Sequence, residues 1–210
     1  MKKGILFDLD GTLWDSSGTV ITAWNECIAK NTDLDRTYTA AQMKSYMGKT
    51  LDKIADEMFP DLDKPERLRI IKMCGDYENA YMKTHPTSLY FPREKETLGA
   101  LAEEYFLAVV SNCQDGYIQI FLEQCGFGEL FGDFECARTG LCKGDNIKLV
   151  AERNKLDSYI YVGDTELDCQ AALRAGVKFV HAAYGFGKPS RCDGRVTEFS
   201  QLPAVVAGSF

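Results

Sequence analysis

Ile5, Leu6 and Phe7 form an apolar run with no polar break, which predicts a short strand buried on both faces of a parallel sheet. From about residue 16 to residue 84 the pattern changes to helical spacing, with no convincing strand. Val20, Ile21, Trp24, Cys27 and Ile28 line one helical face, and Leu51, Ile54, Ala55 and Met58 line another that ends at Phe59-Pro60. A long helix is predicted from Pro65, a favourable first-turn residue, to about Lys83, with Gly75 weakening its middle and His85-Pro86 stopping it. From Leu89 onward strand and helix alternate. Leu98, Leu101, Ala102 and Tyr105 form a helical face, and Phe106 to Val110 a strand. Ile118, Phe121, Leu122 and Cys125 form a helix closed by Gly126, and Phe131 to Cys136 a weaker strand. Asp145 is positioned to cap a helix through Ile147, Val150 and Ala151. Tyr159 to Val162 is a strand, Leu167, Ala171 and Ala175 share a helical face closed by Gly176, and Val177 to His181 is a last apolar strand. Such alternation implies a parallel sheet with helices on both faces, and a helical insert separates its first strand from the rest.

The strand ends carry the polar residues. Asp8 and Asp10 follow the first run, and Gly11 permits a sharp turn. In an open α/β sheet, ligands sit beyond the carboxyl ends of the strands at the switch point of strand order. Two carboxylates there repel unless they share a proton or hold a cation, and a hard cation such as Mg²⁺ suits oxygen donors. A solvated acidic turn has the same local pattern. Ser111-Asn112 ends the second strand, where a hydroxyl and a backbone amide can donate to a phosphoryl oxygen. Lys143 lies at a helix start in Leu141-Cys142-Lys143-Gly144-Asp145. Asp164 ends another strand, and Asp168 is four residues on, on the same face if the helix begins between them.

Asp8-Leu9-Asp10-Gly11-Thr12, Ser111, Lys143 and Gly163-Asp164-Thr165-Glu166-Leu167-Asp168 resemble, in order, the four motifs of the haloacid dehalogenase superfamily. The branch resembled is the phosphoglycolate phosphatase-like one. The likeness spans nearly the whole chain. Two departures stand out: Gly144 occupies a position where proline is usual after the lysine, and Arg93 follows Pro92 where a Pro-Gly pair is usual.

The resemblance implies a three-layer α/β core with a mainly parallel, Rossmann-like sheet over 1–14 and 86–210, and an inserted α-helical cap over 15–85. It implies a Mg²⁺-dependent phosphatase in which Asp8 is the nucleophile and Asp10 the general acid and base. Asp8, Asp164 and the main-chain oxygen of Asp10 hold the metal, with Asp168 orienting that shell. Ser111, Asn112 and Lys143 bind the phosphoryl group, and Thr12 assists at that loop. Gly48 and Lys49, in the cap loop Tyr46-Met47-Gly48-Lys49-Thr50, are the substrate-selecting candidates. Asp10 argues against a haloalkanoate dehalogenase, which does not need the second aspartate. It argues equally against a phosphonate hydrolase using Lys49 or Lys53 as an imine-forming lysine. A sugar phosphomutase retains both aspartates and stays open, as does a catalytically inactive phosphate-binding module.

Composition narrows the partners. The 210 residues are 45% apolar and 26% charged, the make-up of an ordinary globular protein, with a net charge of −7. That balance disfavours nucleic acid and anionic membrane, which recruit basic surfaces, and does not forbid the small phosphorylated metabolite that the resemblance implies as partner. The apolar run after Met1-Lys2-Lys3 is too short for an export signal, and no run approaches membrane-spanning length. Eight cysteines without a CxxC pair, and only two histidines, argue against zinc and for reduced core thiols in a cytoplasmic protein. Nothing in the pattern specifies an oligomeric state.

Overall fold

A computed structural model describes residues 1–86 and 90–210 of the chain. Leu89, the first residue of the predicted change in pattern, lies outside the described residues. The strands are β1 (Lys3–Phe7), β2 (Phe106–Val110), β3 (Phe131–Glu135), β4 (Ser158–Gly163), β5 (Lys178–Ala182) and β6 (Gly194–Val196). They form one sheet in the order β3-β2-β1-β4-β5-β6, and every pairing is parallel. β1 is central: Phe7 pairs with Val109 on one side and Val162 on the other. The progression of strands reverses at β1, which makes its carboxyl end the switch-point crevice.

The helices are α1 (Ser17–Asn31), α2 (Ala40–Tyr46), α3 (Leu51–Met58), α4 (Lys64–Thr84), α5 (Glu94–Ala102), α6 (Tyr117–Gln124), α7 (Lys143–Arg153), α8 (Glu166–Ala175) and α9 (Leu202–Ala207). Alternation along β1 divides the core. Leu6 faces a cluster built from Ala108, Val110, Tyr161 and the apolar residues of α7 and α8. Ile5 and Phe7 face the opposite way, with Leu107, Val109, Ile160 and Val162, toward Leu98, Phe121 and Leu202. The sheet is thus covered on both faces, as the unbroken apolar runs of its central strands require.

Between β1 and β2 the described residues add no strand to the sheet: α1 to α4 come first, packed chiefly as α1 on α4 and α3 on α4, and α5 leads into β2. The short α2 begins with a capping box, in which Thr39 accepts from the Gln42 amide and Gln42 accepts from the Thr39 amide. α4 runs unbroken through Gly75. A Cβ there would lie 3.4 Å from Leu51 and 3.7 Å from Gln114, ordinary contact distances, so the helix has room for a side chain at this position.

The expected capping role of Asp145 is corrected. α7 is capped at Cys142 and begins at Lys143, so Asp145 falls in the first turn. There it favours the positive helix end and pairs with Arg174 at 2.8 Å. β6 and α9, beyond the last predicted strand, were not anticipated. β6 is three residues long with only Val196 buried, too short to show a period.

Candidate active site

The site is built at the carboxyl end of β1. The Asp8 amide extends the ladder to the Val162 carbonyl at 2.8 Å, which carries the Asp8 side chain past the sheet edge. The chain then turns sharply, with the Leu13 amide donating to the Leu9 carbonyl and the Gly11 amide to the Trp14 carbonyl, both at 2.8 Å. Gly11 sits at φ +83°, and a Cβ on it would lie 2.5 Å from Asp164 Oδ2. Glycine is needed there both for the backbone angle and for the close approach of Asp164.

Asp8, Asp164 and Asp168 are fully buried, and one oxygen from each lies within 4.8 Å of the others. Lys143, itself buried, donates to Asp8 Oδ1 at 2.8 Å and to Asp168 Oδ1 at 2.7 Å. Three carboxylates therefore face one ammonium. Burial, and then the charge of Asp168, push the Asp8 carboxyl up to about 7 against the pull of Lys143. Asp164 is also driven well above the carboxylate range, by burial and by Asp168 and Asp8. Burial pulls the Lys143 ammonium down, but the two carboxylates outweigh it and hold it above the ordinary lysine value. Asp8 Oδ2 is buried without a hydrogen-bond partner. Such an all-oxygen, anionic donor set, gathered within 4.8 Å, fits a hard divalent cation.

Both oxygens of Asp168 are engaged. Besides accepting from Lys143 through Oδ1, it accepts from the Thr165 amide at 2.9 Å and the Thr165 hydroxyl at 2.6 Å through Oδ2. Thr165 and Asp168 thus form the capping box of α8. Asp164 Oδ2 accepts from the Phe186 amide at 2.7 Å, and its Oδ1 lies 3.4 Å from the Thr12 hydroxyl. Thr12, fully buried, is directed at Asp164.

Asp10 has a different setting. Trp14 Nε1, the Ser16 hydroxyl and the Tyr117 hydroxyl all donate to its Oδ1, at 2.9, 2.7 and 2.8 Å. Burial raises its carboxyl more than these three bonds lower it. Two carboxyls two residues apart are thus distinguished: Asp8 points at a lysine and two acids, and Asp10 at three neutral donors.

Ser111 and Asn112, after β2, line the cavity that opens between Asp10 and the helical insert, together with Gly48 and Lys49. Asn112 Nδ2 donates to the Gly48 carbonyl at 2.8 Å, a direct tie between the insert and the sheet edge. Gly48 stands at φ +81° with Thr165 beside it. Lys49 is turned onto Glu57, with both carboxylate oxygens at 2.7 Å from Nζ. Sequence reasoning missed Trp14, Ser16 and Tyr117 around Asp10, and Glu78 and Gln114 in the cavity wall. Trp14 and Ser16 follow the aspartates closely enough to be suspected. Tyr117 arrives from α6, and no local pattern marks it.

A model of haloacid dehalogenase-like hydrolases matches residues 5–182. The phosphoglycolate phosphatase of Aquifex aeolicus is 29% identical over 198 residues, covering 88% of this chain and 86% of that protein. The phosphoglycolate phosphatase of Vibrio vulnificus is 29% identical over 223 residues, covering 97% and 96%. Among solved structures, a predicted phosphoglycolate phosphatase from Haemophilus somnus superposes with a TM-score of 0.82 at 25% identity, covering 98% of each chain.

Proposed function

The chain belongs to the haloacid dehalogenase-like hydrolase family, and on that premise we propose that it is a phosphatase that cleaves a small phosphate monoester through an aspartyl-phosphate on Asp8. The observation that carries this reading is the state of Asp8. One oxygen is fixed by Lys143, and the other is buried with no hydrogen-bond partner. A nucleophile held by one oxygen and free at the other is oriented without being quenched.

In the proposed reaction, the free carboxylate oxygen of Asp8 attacks phosphorus and the bond to the alcohol oxygen breaks. Asp10 delivers its proton to that oxygen, consistent with a carboxyl raised by burial. Asp10 then takes a proton from water as the water cleaves the aspartyl-phosphate and frees Asp8. Ser111, the Asn112 amide and Lys143 receive the phosphoryl oxygens. Mg²⁺ is the proposed cation: Asp8, Asp164 and the main-chain oxygen of Asp10 would hold it, and Asp168 orients the shell through Lys143. When bound, it screens the repulsion between anionic nucleophile and anionic phosphate. Thr12 supports the loop through Asp164.

We assign 1–14 and 86–210 to the catalytic core and 15–85 to a cap, with Gly48 and Lys49 in its substrate-facing loop. The Asn112–Gly48 hydrogen bond supports this division, since it lies where a cap would meet the core. No described helix is long and apolar enough to cross a membrane. All eight cysteines are free thiols, which supports a cytoplasmic setting.

The test is hydrolysis of an aryl phosphate with and without Mg²⁺. Release of inorganic phosphate that is abolished by excess chelator and restored by Mg²⁺ is expected. Undiminished release in chelator would contradict the reading.

A further inference from the structure

The cavity beside Asp10 has a cap-side wall whose chemistry has not entered the reaction. It leaves about 50 Å³ for water-sized molecules, room for roughly three or four. Its lining from the insert is mainly apolar, including Val20, Trp24, Met43, Tyr46 and Ile54, and it contains one buried acid, Glu78 of α4. A carboxyl in an apolar wall is costly to maintain unless its oxygens are satisfied. Here Trp24 Nε1 donates to Oε2, and Gln114 Nε2 donates to Oε1 at 3.0 Å. Gln114 is steadied by Asn79 Oδ1 at 3.2 Å, and Asn79 in turn donates to the Asp115 carbonyl at 2.8 Å. Helices of the insert and the loop after β2 thus converge on one side chain.

This arrangement leaves few donors for an anion on the cap side. Trp24 and Gln114 are both spent on Glu78. Lys49, the one basic residue lining the cavity among the described residues, is paired to Glu57. Two carboxyls face the cavity, Glu78 on the cap side and Asp10 on the other, with Tyr46, Ser111 and Asn112 also in its lining. Burial, against the two hydrogen bonds and with the charge of Asp10, raises the Glu78 carboxyl to about 8. Once Glu78 is ionised, above about pH 8, a further anion beside it would meet repulsion, with Lys49 already paired to Glu57.

We infer that Glu78 is the substrate-selecting residue of this cavity: it receives a hydrogen-bond donor, hydroxyl or ammonium, on a small alcohol released from the phosphate, and in its ionised form it disfavours alcohols that carry a carboxylate. The inference rests on the phosphatase reading and narrows it. It also separates this chain from the substrate in its relatives' names, because glycolate carries a carboxylate.

The experiment is a comparison of kcat/KM at pH 9, where Glu78 is ionised, for phosphoglycolate, glycerol 1-phosphate and phosphoethanolamine, with p-nitrophenyl phosphate as the reference, in the wild-type protein and in Glu78→Gln. Glycerol 1-phosphate or phosphoethanolamine is expected to exceed phosphoglycolate at least tenfold in the wild type. The better of the two tells whether the donor is hydroxyl or ammonium. In Glu78→Gln that ratio is expected to fall at least tenfold, chiefly through KM, because the amide keeps the volume and can donate to a carboxylate. Phosphoglycolate equal to or better than both others in the wild type would overturn the inference, whether or not the variant folds. An unchanged ratio in a folded Glu78→Gln would overturn it as well. Absence of aryl phosphate hydrolysis in the wild type would instead remove the phosphatase reading, and the inference with it.

Discussion

Lys143 Nζ lies 2.8 Å from Asp8 Oδ1, while Asp8 Oδ2 has no partner at all. The same ammonium holds Asp168, so one cation fixes the first and fourth motifs against each other across 25 residues on one side and 135 on the other. Lys143→Met removes it and leaves two buried carboxylates facing each other. Breaking a buried pair in this way typically costs about 3–5 kcal/mol. We expect a loss near the lower end of that range in urea denaturation of chelated protein, since protonation relieves part of the repulsion. Phosphatase turnover should fall at least a hundredfold. An unchanged urea midpoint would mean that the pair contributes nothing.

Arg93 takes φ +62°, a left-handed angle, at the N-cap of α5. This is the position where the sequence departs from the usual Pro-Gly. A side chain in that region costs roughly 1–2 kcal/mol, against which glycine loses about 0.5–1 kcal/mol in chain entropy. The Arg93–Glu96 pair is exposed, at 3.4 Å, and adds little. Arg93→Gly is therefore expected to stabilise the protein by up to about 1 kcal/mol. A destabilisation of that size, measured by the same denaturation, would refute the strain.

Glu94 is buried, with Oε2 accepting from the Phe91 amide and Oε1 unpartnered. Burial, only partly offset by that amide, raises its carboxyl from 4.5 to about 8. Between those values the folded chain keeps a proton that the unfolded chain has released. Its contribution to stability is thus full below about 4.5 and is lost as pH rises toward 8. Relative to Glu94→Gln, the wild type should lose stability progressively across that window. Parallel pH profiles for the two proteins would contradict the assignment.

Gly48 carries the joint between insert and core. Its φ of +81° disfavours a side chain, and a Cβ would lie 3.2 Å from the Thr165 hydroxyl. Gly48→Ala is expected to raise KM about tenfold by disturbing the Asn112 contact. Lys49→Ala, which mainly loses the exposed pair with Glu57, should change KM much less. The reverse ranking in steady-state kinetics would make Lys49, not the backbone at Gly48, the determinant.

Much of the core was legible in the sequence because its signals are local. β1 and β4 are apolar runs broken by acids, and Asp8 and Asp164 stand where those runs stop. The approach of Lys143 to Asp8 and Asp168 is long-range, and only the resemblance linked the three. Asp145 looked like a cap because the apolar period begins at Ile147. The helix starts earlier, so that Lys143 and Gly144 are buried against the site and α8. The donors around Asp10 and Glu78 were the least legible. Tyr117 and Gln114 reach them from segments with no special pattern, and only tertiary packing brings them near.

The central claim is covalent catalysis by Asp8, and the most direct measurement is rapid acid quench with a ³²P-labelled phosphate ester, followed by peptide mapping. The account predicts label on the peptide containing Asp8, formed and consumed fast enough to support turnover and absent in a folded Asp8→Asn variant with no turnover. Label on another residue, or wild-type turnover in Asp8→Asn, would contradict it.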